Sequence, residues 1–502
     1  MLENVNGVTL LFVGLGLLTC SHLLRITAFR KKNPPSVRYL LPWFGSALSI
    51  GSDLLGWIER QSECHGPLFS AYIGGKTFIF VCDRKAGMRV INSKSSDLSD
   101  REGKYKLQRN ALGMTHLDAS DISKSTEKKE IQTRHLLRLN VLPILLENYQ
   151  KHILFNVYPN ILQDKNVNGQ DWMKKGILDF FGEAIWRATV TVLYELPELD
   201  SYEAFKLAMT FDENFLKFSN SRLFQRMHWK QYKAREDIIG LVKNALKKRD
   251  QHGDEANPFK EKVGMELDHM SKKMGMNLDG RARFQVLSIH AAVLNTVPTT
   301  FWTVYHLLEN PDAYNAVVEE LQQIKKKSKF FSMDALNEMT KLDSVLMETL
   351  RLDSTEKQFR MRTVERDFDL ELPFDDGTKK SFPVKKGTTV VTVPPLMNRD
   401  EEVFENAQSF QWDRFAKQTV FKKNNKVIQS PVEAFGGGPT MCPGRNFAKV
   451  EIKALVASIL CEYEVRFAKG LDAEKPGLRD KKLYFSFGVP ESDVEIEFRA
   501  RV

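Results

Sequence analysis

Phe435-Gly436-Gly437-Gly438-Pro439-Thr440-Met441-Cys442-Pro443-Gly444-Arg445 sets three glycines ahead of a cysteine, with a helical pattern following from Arg445 to about Tyr463. Glycine opens backbone conformations closed to other residues and lets the main chain approach a flat partner closely. A cysteine just before a helix N-terminus meets unpaired N–H groups and the positive end of the dipole, and both favour thiolate over thiol. A phosphate loop is excluded because no GK[ST] follows the glycines. The bland alternative is a glycine-rich turn holding an inert cysteine. The other cysteines, Cys20, Cys64, Cys82 and Cys461, have no such surroundings. The five are odd in number, widely spaced and without a CxxC pair, so neither a zinc site nor a disulfide framework is indicated. A reducing compartment suits the cysteine-bearing part.

A cysteine thiolate is one of the ligands that hold haem iron, where it pushes electron density toward O–O cleavage. Phe435, Gly438, Cys442 and Gly444 fit F-x-x-G-x-x-x-C-x-G, and the segment resembles the haem signature of the cytochromes P-450. The resemblance implies haem b with Cys442 as its axial ligand. Phe435 would pack against the ligand loop, and Gly444 would let the helix start lie close under the porphyrin. The family often carries a basic residue two positions before the cysteine for a haem propionate. Here that position is Thr440, so the contact must come from elsewhere or be absent.

Other elements fall in the family's order. Glu348 and Arg351 lie three apart and share a helix face. Alone they would be a surface ion pair of little value. The resemblance instead makes them the E-x-x-R pair of a structural triad, completed by Arg414 in Trp412-Asp413-Arg414-Phe415. The run from Asn398 to Phe404 is also similar to the family's. Arg362 stands where the family places an arginine near a propionate; the alternative is an exposed strand arginine.

The helix expected over the haem spans Phe284 to Leu308, with a kink at Pro298. Oxygen-activating members carry an acid–threonine pair there. In this chain Leu294 replaces the acid and Asn295 the threonine. Asparagine donates and accepts hydrogen bonds but relays no proton as a hydroxyl does. The Asn295-Thr296-Val297-Pro298-Thr299-Thr300-Phe301-Trp302 run and Phe487 to Asp493 resemble the branch holding sterol 7α- and 12α-hydroxylases, oxysterol 7α-hydroxylases and prostacyclin synthase.

The N-terminus has an apolar run from Val8 to Leu24. Extended to Phe29, it has roughly the 20 residues that a bilayer needs. Arg30, Lys31 and Lys32 follow, so the remainder would face the cytosol. A cleaved signal peptide fits worse, because the basic cluster lies after the run and no small-residue cleavage site is evident. Residues 1–32 are thus expected to form a single transmembrane helix and its flank. Residues 33–36, with Pro34 and Pro35, would form a stiff hinge, and 33–502 the catalytic domain. The fold implied is the mainly α cytochrome P-450 fold with small β sheets. Phe69 to Cys82 reads as a hairpin turning at Gly74-Gly75, and Phe368 to Pro394 as strands turning at Phe374–Gly377. Glu127 to Leu350 reads as mostly helical, with loops near Gln251–Asn257 and Lys325–Lys329.

The net charge of +9 is mild for 502 residues, and no basic stripe interleaved with aromatics points to nucleic acid. Lys422, Lys423, Lys426, Arg445 and Lys449 lie near the cysteine loop and could steer an acidic reductase or be ordinary surface charge. Pocket-lining segments implied by position are Tyr105 to Leu117, Phe211 to Phe224, Gln358 to Met361, the central helix and Phe487. The resemblance implies a monooxygenase of the endoplasmic reticulum membrane. It would take an apolar steroid, terpenoid or other lipid with O2 and electrons from an NADPH–cytochrome P-450 reductase, with cytochrome b5 as a further donor. Two alternatives stand beside it: a prostacyclin-synthase-like peroxide isomerase or dehydratase without a reductase, and a haem sensor without turnover.

Overall fold

The computed structural model describes residues 34–39, 44–51, 53–137, 172–220, 223–252, 263–327, 332–353, 359–470, 474–478 and 488–501. They fall into two compact units. The smaller draws on Met1–Asp100, Phe359–Met397 and Gly436–Thr440; the larger on Arg101–Gln358, Asn398–Phe435 and Met441–Val502.

The smaller unit is built on a five-stranded sheet in the order Leu68–Ile73, Lys76–Val81, Thr389–Thr392, Arg360–Val364, Leu98–Ser99. The expected hairpin is present: Ile73 pairs with Lys76, and Gly74 and Gly75 both take positive φ, 54° and 84°. Two consecutive positive-φ residues match the right-handed twist of the flanking strands, and glycine supplies them without a Cβ penalty. A second hairpin, Phe368–Pro373 with Lys379–Val384, turns through Phe374–Gly377 as the sequence suggests. Leu370 and Leu372 alternate inward against exposed Asp369 and Glu371, the two-residue period of a half-buried strand. The end of the proline segment is pinned to the sheet: Ser70 N–H donates to Pro35 O at 2.7 Å and Val37 N–H to Ser70 O at 2.8 Å.

The larger unit is mainly helical. Its principal helices are α1 (Ile177–Ala188), α2 (Tyr202–Asp212), α3 (Trp229–His252), α4 (Leu278–Val293), α5 (Thr296–Glu309), α6 (Thr340–Leu352) and α7 (Arg445–Glu462). Helix α5 is buried along almost its whole length and packs against α1, α6 and α7. A helix buried on every side belongs in the middle of a core. A three-stranded sheet, Tyr463–Phe467, Glu495–Ala500 and Met173–Gly176, borders the unit. Asp493 accepts from the N–H groups of Leu178 and Asp179 at 2.7 and 3.1 Å, capping α1 where Gly176 has no side chain to do so.

Three expectations need correction or placement. The helix from Phe284 to Leu308 is two helices, α4 and α5, interrupted at Leu294 and Asn295. Pro298 causes this from four residues downstream: it lacks the N–H that Leu294 O would accept, and its ring crowds that carbonyl. Helices continue into the expected loops, to His252 and to Lys327, and the rest of those loops lies outside the described residues. The expected membrane segment, 1–32, also lies outside them; among the described residues no helix is long and apolar enough to cross a membrane.

Candidate active site

In the larger unit, the segment around Cys442 is tied at both ends. Cys442 N–H donates to Phe435 O at 2.8 Å, closing the loop. Phe435 packs on the main hydrophobic core beside buried Ala434. Gly444 is the N-cap of α7, with φ −89° and no side-chain cap. That φ is open to any residue, so no left-handed backbone requires the glycine; a missing side chain at the helix entrance is what it contributes. Arg445 Nη1 donates to Cys442 O at 3.1 Å. Cys442 is half-buried. By contrast, burial pushes the Cys461 thiol up to about 11 and the Cys82 thiol up to about 12, which leaves both as inert thiols at neutral pH.

The smaller unit holds Gly436–Thr440. Gly436 and Gly438 have φ of +69° and +50°, and a Cβ on Gly438 would stand 2.9 Å from Asn92 Cα. Neither position tolerates a side chain without strain. Arg362 is buried, which removes the exposed-arginine alternative. Its Nη2 donates to Thr440 Oγ1 at 2.6 Å and to Ile91 O at 2.8 Å, while Nη1 is buried with no hydrogen-bond partner among the described residues. Burial holds the guanidinium below the ordinary arginine range; Asp100 opposes this and Arg360 adds to it. A buried cation with a donor unused is suited to an anion. Thr440, standing where a basic residue is usual, is thereby tied to the one arginine.

Glu348, Arg351 and Arg414 meet in the interior, not on the surface. Arg351 Nε and Nη2 grip the Glu348 carboxylate at 2.8 and 2.7 Å, and Arg414 Nε reaches both oxygens at 3.1 Å. The guanidinium groups then hold the following chain. Arg351 Nη1 donates to Asn398 O and Ala407 O at 2.7 and 2.6 Å, and Arg414 Nη1 to Glu405 O at 2.6 Å. Each ion is both paired and hydrogen-bonded, the condition under which buried charge is tolerated.

At the break between α4 and α5, Leu294 is buried and Asn295 half-buried. Asn295 O accepts from Thr299 Oγ1 at 2.8 Å. The Asn295 side chain makes no capping bond although it occupies the N-cap. Just before the break, Ala291 is exposed and Ala292 half-buried, whereas residues 284–289 and 296–308 are buried.

Residues 34–498 match the family model described as Cytochrome P450. The chain belongs to the cytochromes P450. Curated relatives match along nearly all of it. "Cytochrome P450 7B1" of Mus musculus is 25% identical over 513 residues, 98% of this chain and 96% of that protein. "Cholesterol 7-alpha-monooxygenase" of Cricetulus griseus is 25% identical over 521 residues, 97% and 98% of the two chains. "Prostacyclin synthase" of Rattus norvegicus is 27% identical over 510 residues, 95% of each. As a P450 the chain is a haem-dependent monooxygenase, an oxidoreductase, and these relatives carry names of the branch that its central-helix run resembles. The donor chemistry fits the group: a cysteine at a helix entrance for iron, and a buried arginine with a spare N–H for a carboxylate.

Among the other expected residues, Phe211, Phe215 and Phe218 are buried in the core, and Tyr105 packs against it. Leu117 is on the outer surface. Met361 is on the strand Arg360–Val364, and Gln358 and Phe487 lie outside the described residues. In the basic group, Lys422 and Lys426 are exposed, whereas Lys423 is ion-paired with Asp400 at 2.6 Å and is not free to meet a partner. Sequence reasoning missed three features: the link made by Asn398, the buried His306–Asp353 pair, and His290 beside Asp212. Asn398 opens a run already seen to match the family; the two histidines carry no local signal.

Proposed function

We propose that this P450 hydroxylates or otherwise oxidises an apolar, lipid-like substrate of the steroid or terpenoid kind, with electrons delivered by an NADPH-dependent reductase. The observation that carries this reading is that Ala291 is exposed and Ala292 and Asn295 half-buried between the buried stretches 284–289 and 296–308. An apolar cavity with few polar anchors selects an apolar guest. The relative named cholesterol 7-alpha-monooxygenase supports it.

When bound, haem supplies oxygen activation. Cys442 would hold the iron, and Arg362 with Thr440 would receive a propionate. Phe435, Gly438 and Gly444 would give the loop its shape, and Glu348, Arg351 and Arg414 would fix the chain leading to it. Asn295 would order water beside the reacting atoms, and Leu294 would keep the adjoining wall dry. The protein would sit on the endoplasmic reticulum membrane through residues 1–32, its catalytic domain cytosolic, meeting the reductase and cytochrome b5 through exposed Lys422 and Lys426.

The test is NADPH consumption by the purified protein with a reductase, across sterols, terpenoids and lipid peroxides, with mass spectrometry of products. Coupled consumption with one oxygen added is the expected result. Product from a peroxide without NADPH, at unchanged mass or with loss of water, would overturn it in favour of an isomerase or dehydratase, the activity to which Leu294 in place of an acid also lends itself.

A further inference from the structure

The short helix Leu223–Met227 and α3, which begins at Trp229, meet at His228. At that junction Met227 is 70% exposed and Trp229 66%. Single exposed apolar residues are ordinary, but here two lie side by side and one is held in place. The Trp229 indole stacks on Tyr232, with centroids 5.3 Å apart and planes 19° from parallel. Tyr232 packs on the main core, and the buried Arg235 guanidinium lies 4.6 Å from its ring. Arg235 in turn donates to Ala111 O at 2.8 Å. The indole N–H has no hydrogen-bond partner among the described residues. Arg226, Lys230 and Lys233 surround the pair, all exposed and none ion-paired among the described residues. Between Glu213 and Glu236 the chain carries six Lys and Arg and no Asp or Glu.

We infer that Arg226, Met227, Trp229, Lys230 and Lys233 form a docking patch for a bilayer surface that carries anionic headgroups. It is a second attachment, separate from the anchor proposed for residues 1–32. A bilayer interface is apolar on one side and wet and charged on the other. An indole suits both, because its ring enters the acyl boundary while its N–H donates to a headgroup oxygen. Met227 adds a flexible apolar side chain at the same depth. The three cations stay with the headgroups on their long stems. Each cation near an anionic surface strengthens binding about fivefold, so the patch discriminates between anionic and zwitterionic lipid. An anchor elsewhere in the chain raises the effective concentration of the bilayer, so a small patch suffices. The stack on Tyr232 orders the indole in advance, which lowers the cost of docking.

The test uses the full-length, haem-loaded protein in vesicles of phosphatidylcholine, with or without phosphatidylserine, doped with a lipid bearing a photoreactive acyl chain. After illumination, lipid adducts on residues 1–32 and on residues 223–233 are counted by mass spectrometry. Adducts are expected on both segments when phosphatidylserine is present. Those on 223–233 should fall about tenfold or more in phosphatidylcholine alone or in high salt, and those on 1–32 should not. Replacing the cations (Arg226→Gln, Lys230→Gln, Lys233→Gln) should erase the dependence on phosphatidylserine. Met227→Ser with Trp229→Ser should remove the 223–233 adducts at unchanged haem absorbance, which shows that the fold is kept. Adducts on 1–32 with none on 223–233 overturn the inference and leave the anchor standing. Adducts on 223–233 with none on 1–32 support the patch and overturn the anchor. Absence from both segments overturns both. Equal labelling of 223–233 in the two lipids, or cross-links through it between two copies of the chain in place of lipid, also overturns the inference.

Discussion

Asn398 holds Glu433 by both of its backbone groups: its Oδ1 accepts from Glu433 N–H at 2.8 Å, and its Nδ2 donates to Glu433 O at 3.2 Å. The same residue's carbonyl accepts from Arg351 at 2.7 Å. Two residues beyond Glu433, Phe435 O receives the N–H of Cys442. The triad therefore reaches the cysteine loop through one asparagine. Asn398→Ala should cost about 1–3 kcal/mol through loss of two buried bonds. Denaturant unfolding of the haem-loaded protein would measure the loss. A fall in the thiolate-ligated fraction of the reduced carbon monoxide spectrum should accompany it, and Asn398→Asp, which keeps only the acceptor, should fall between.

The Glu348 carboxylate lies between two buried guanidinium groups. Glu348→Gln removes the charge and leaves both arginines in place. Breaking a buried pair from one side costs about 3–5 kcal/mol. The expected outcome is a large drop in recoverable haem-loaded protein, read from haem absorbance per unit of protein. Recovery of the normal ratio would mean that the ion pair is dispensable.

Arg362→Leu should speed transfer of haem to a competing apoprotein by about tenfold or more, because a charge-assisted contact is lost. Thr440→Val should have a smaller effect in the same direction, since it removes one of the two bonds that Nη2 makes and leaves the one to Ile91 O. Restoring a basic residue with Thr440→Arg should not slow release, as the new cation would lie against Arg362.

His306 lies between two carboxylates, with Nε2 2.7 Å from Asp353 and Nδ1 3.1 Å from Glu309, and its ring is stacked on Phe410. Burial alone would lower the His306 pKa; the Asp353 charge and hydrogen bond outweigh it, and the net direction is upward. Asp353 is held below the usual carboxylate range despite its burial, by His306 and then Lys475. Stability from the raised histidine is present below pH about 6.5 and is lost as pH rises through its folded value. Stability from the depressed carboxyl is present above pH about 4 and is lost with acid. His306→Gln should therefore destabilise most between pH about 5 and 6, by about 3 kcal/mol, and progressively less at alkaline pH. Urea midpoints of both proteins across pH would check this.

The glycine-rich hairpin, the E-x-x-R helix, Arg414 and the cysteine loop were legible because each is a local pattern whose chemistry depends on spacing. Distant partners were not. Met173–Gly176 has no β-branched residue and becomes a strand only by pairing with Glu495–Ala500. His306 and Asp353 are 47 positions apart. The break at Leu294–Asn295 was foreseeable in kind, but it lies at the carbonyl that Pro298 disables and not at the proline. Arg362 was ambiguous because alternation along a strand does not tell a buried arginine from an exposed one. Burial and the bond to Thr440 resolve it.

The most direct test is the carbon monoxide difference spectrum of the reduced protein, recorded for the unaltered chain and for Cys442→Ala at matched haem content. The unaltered chain should give the thiolate-ligated band. Cys442→Ala should lose that band entirely, with any remaining haem shifted to the spectrum of a nitrogen- or water-ligated iron. An unchanged band in Cys442→Ala would mean that another residue holds the iron, and the assignment of the Phe435–Arg445 segment as the haem loop would be wrong.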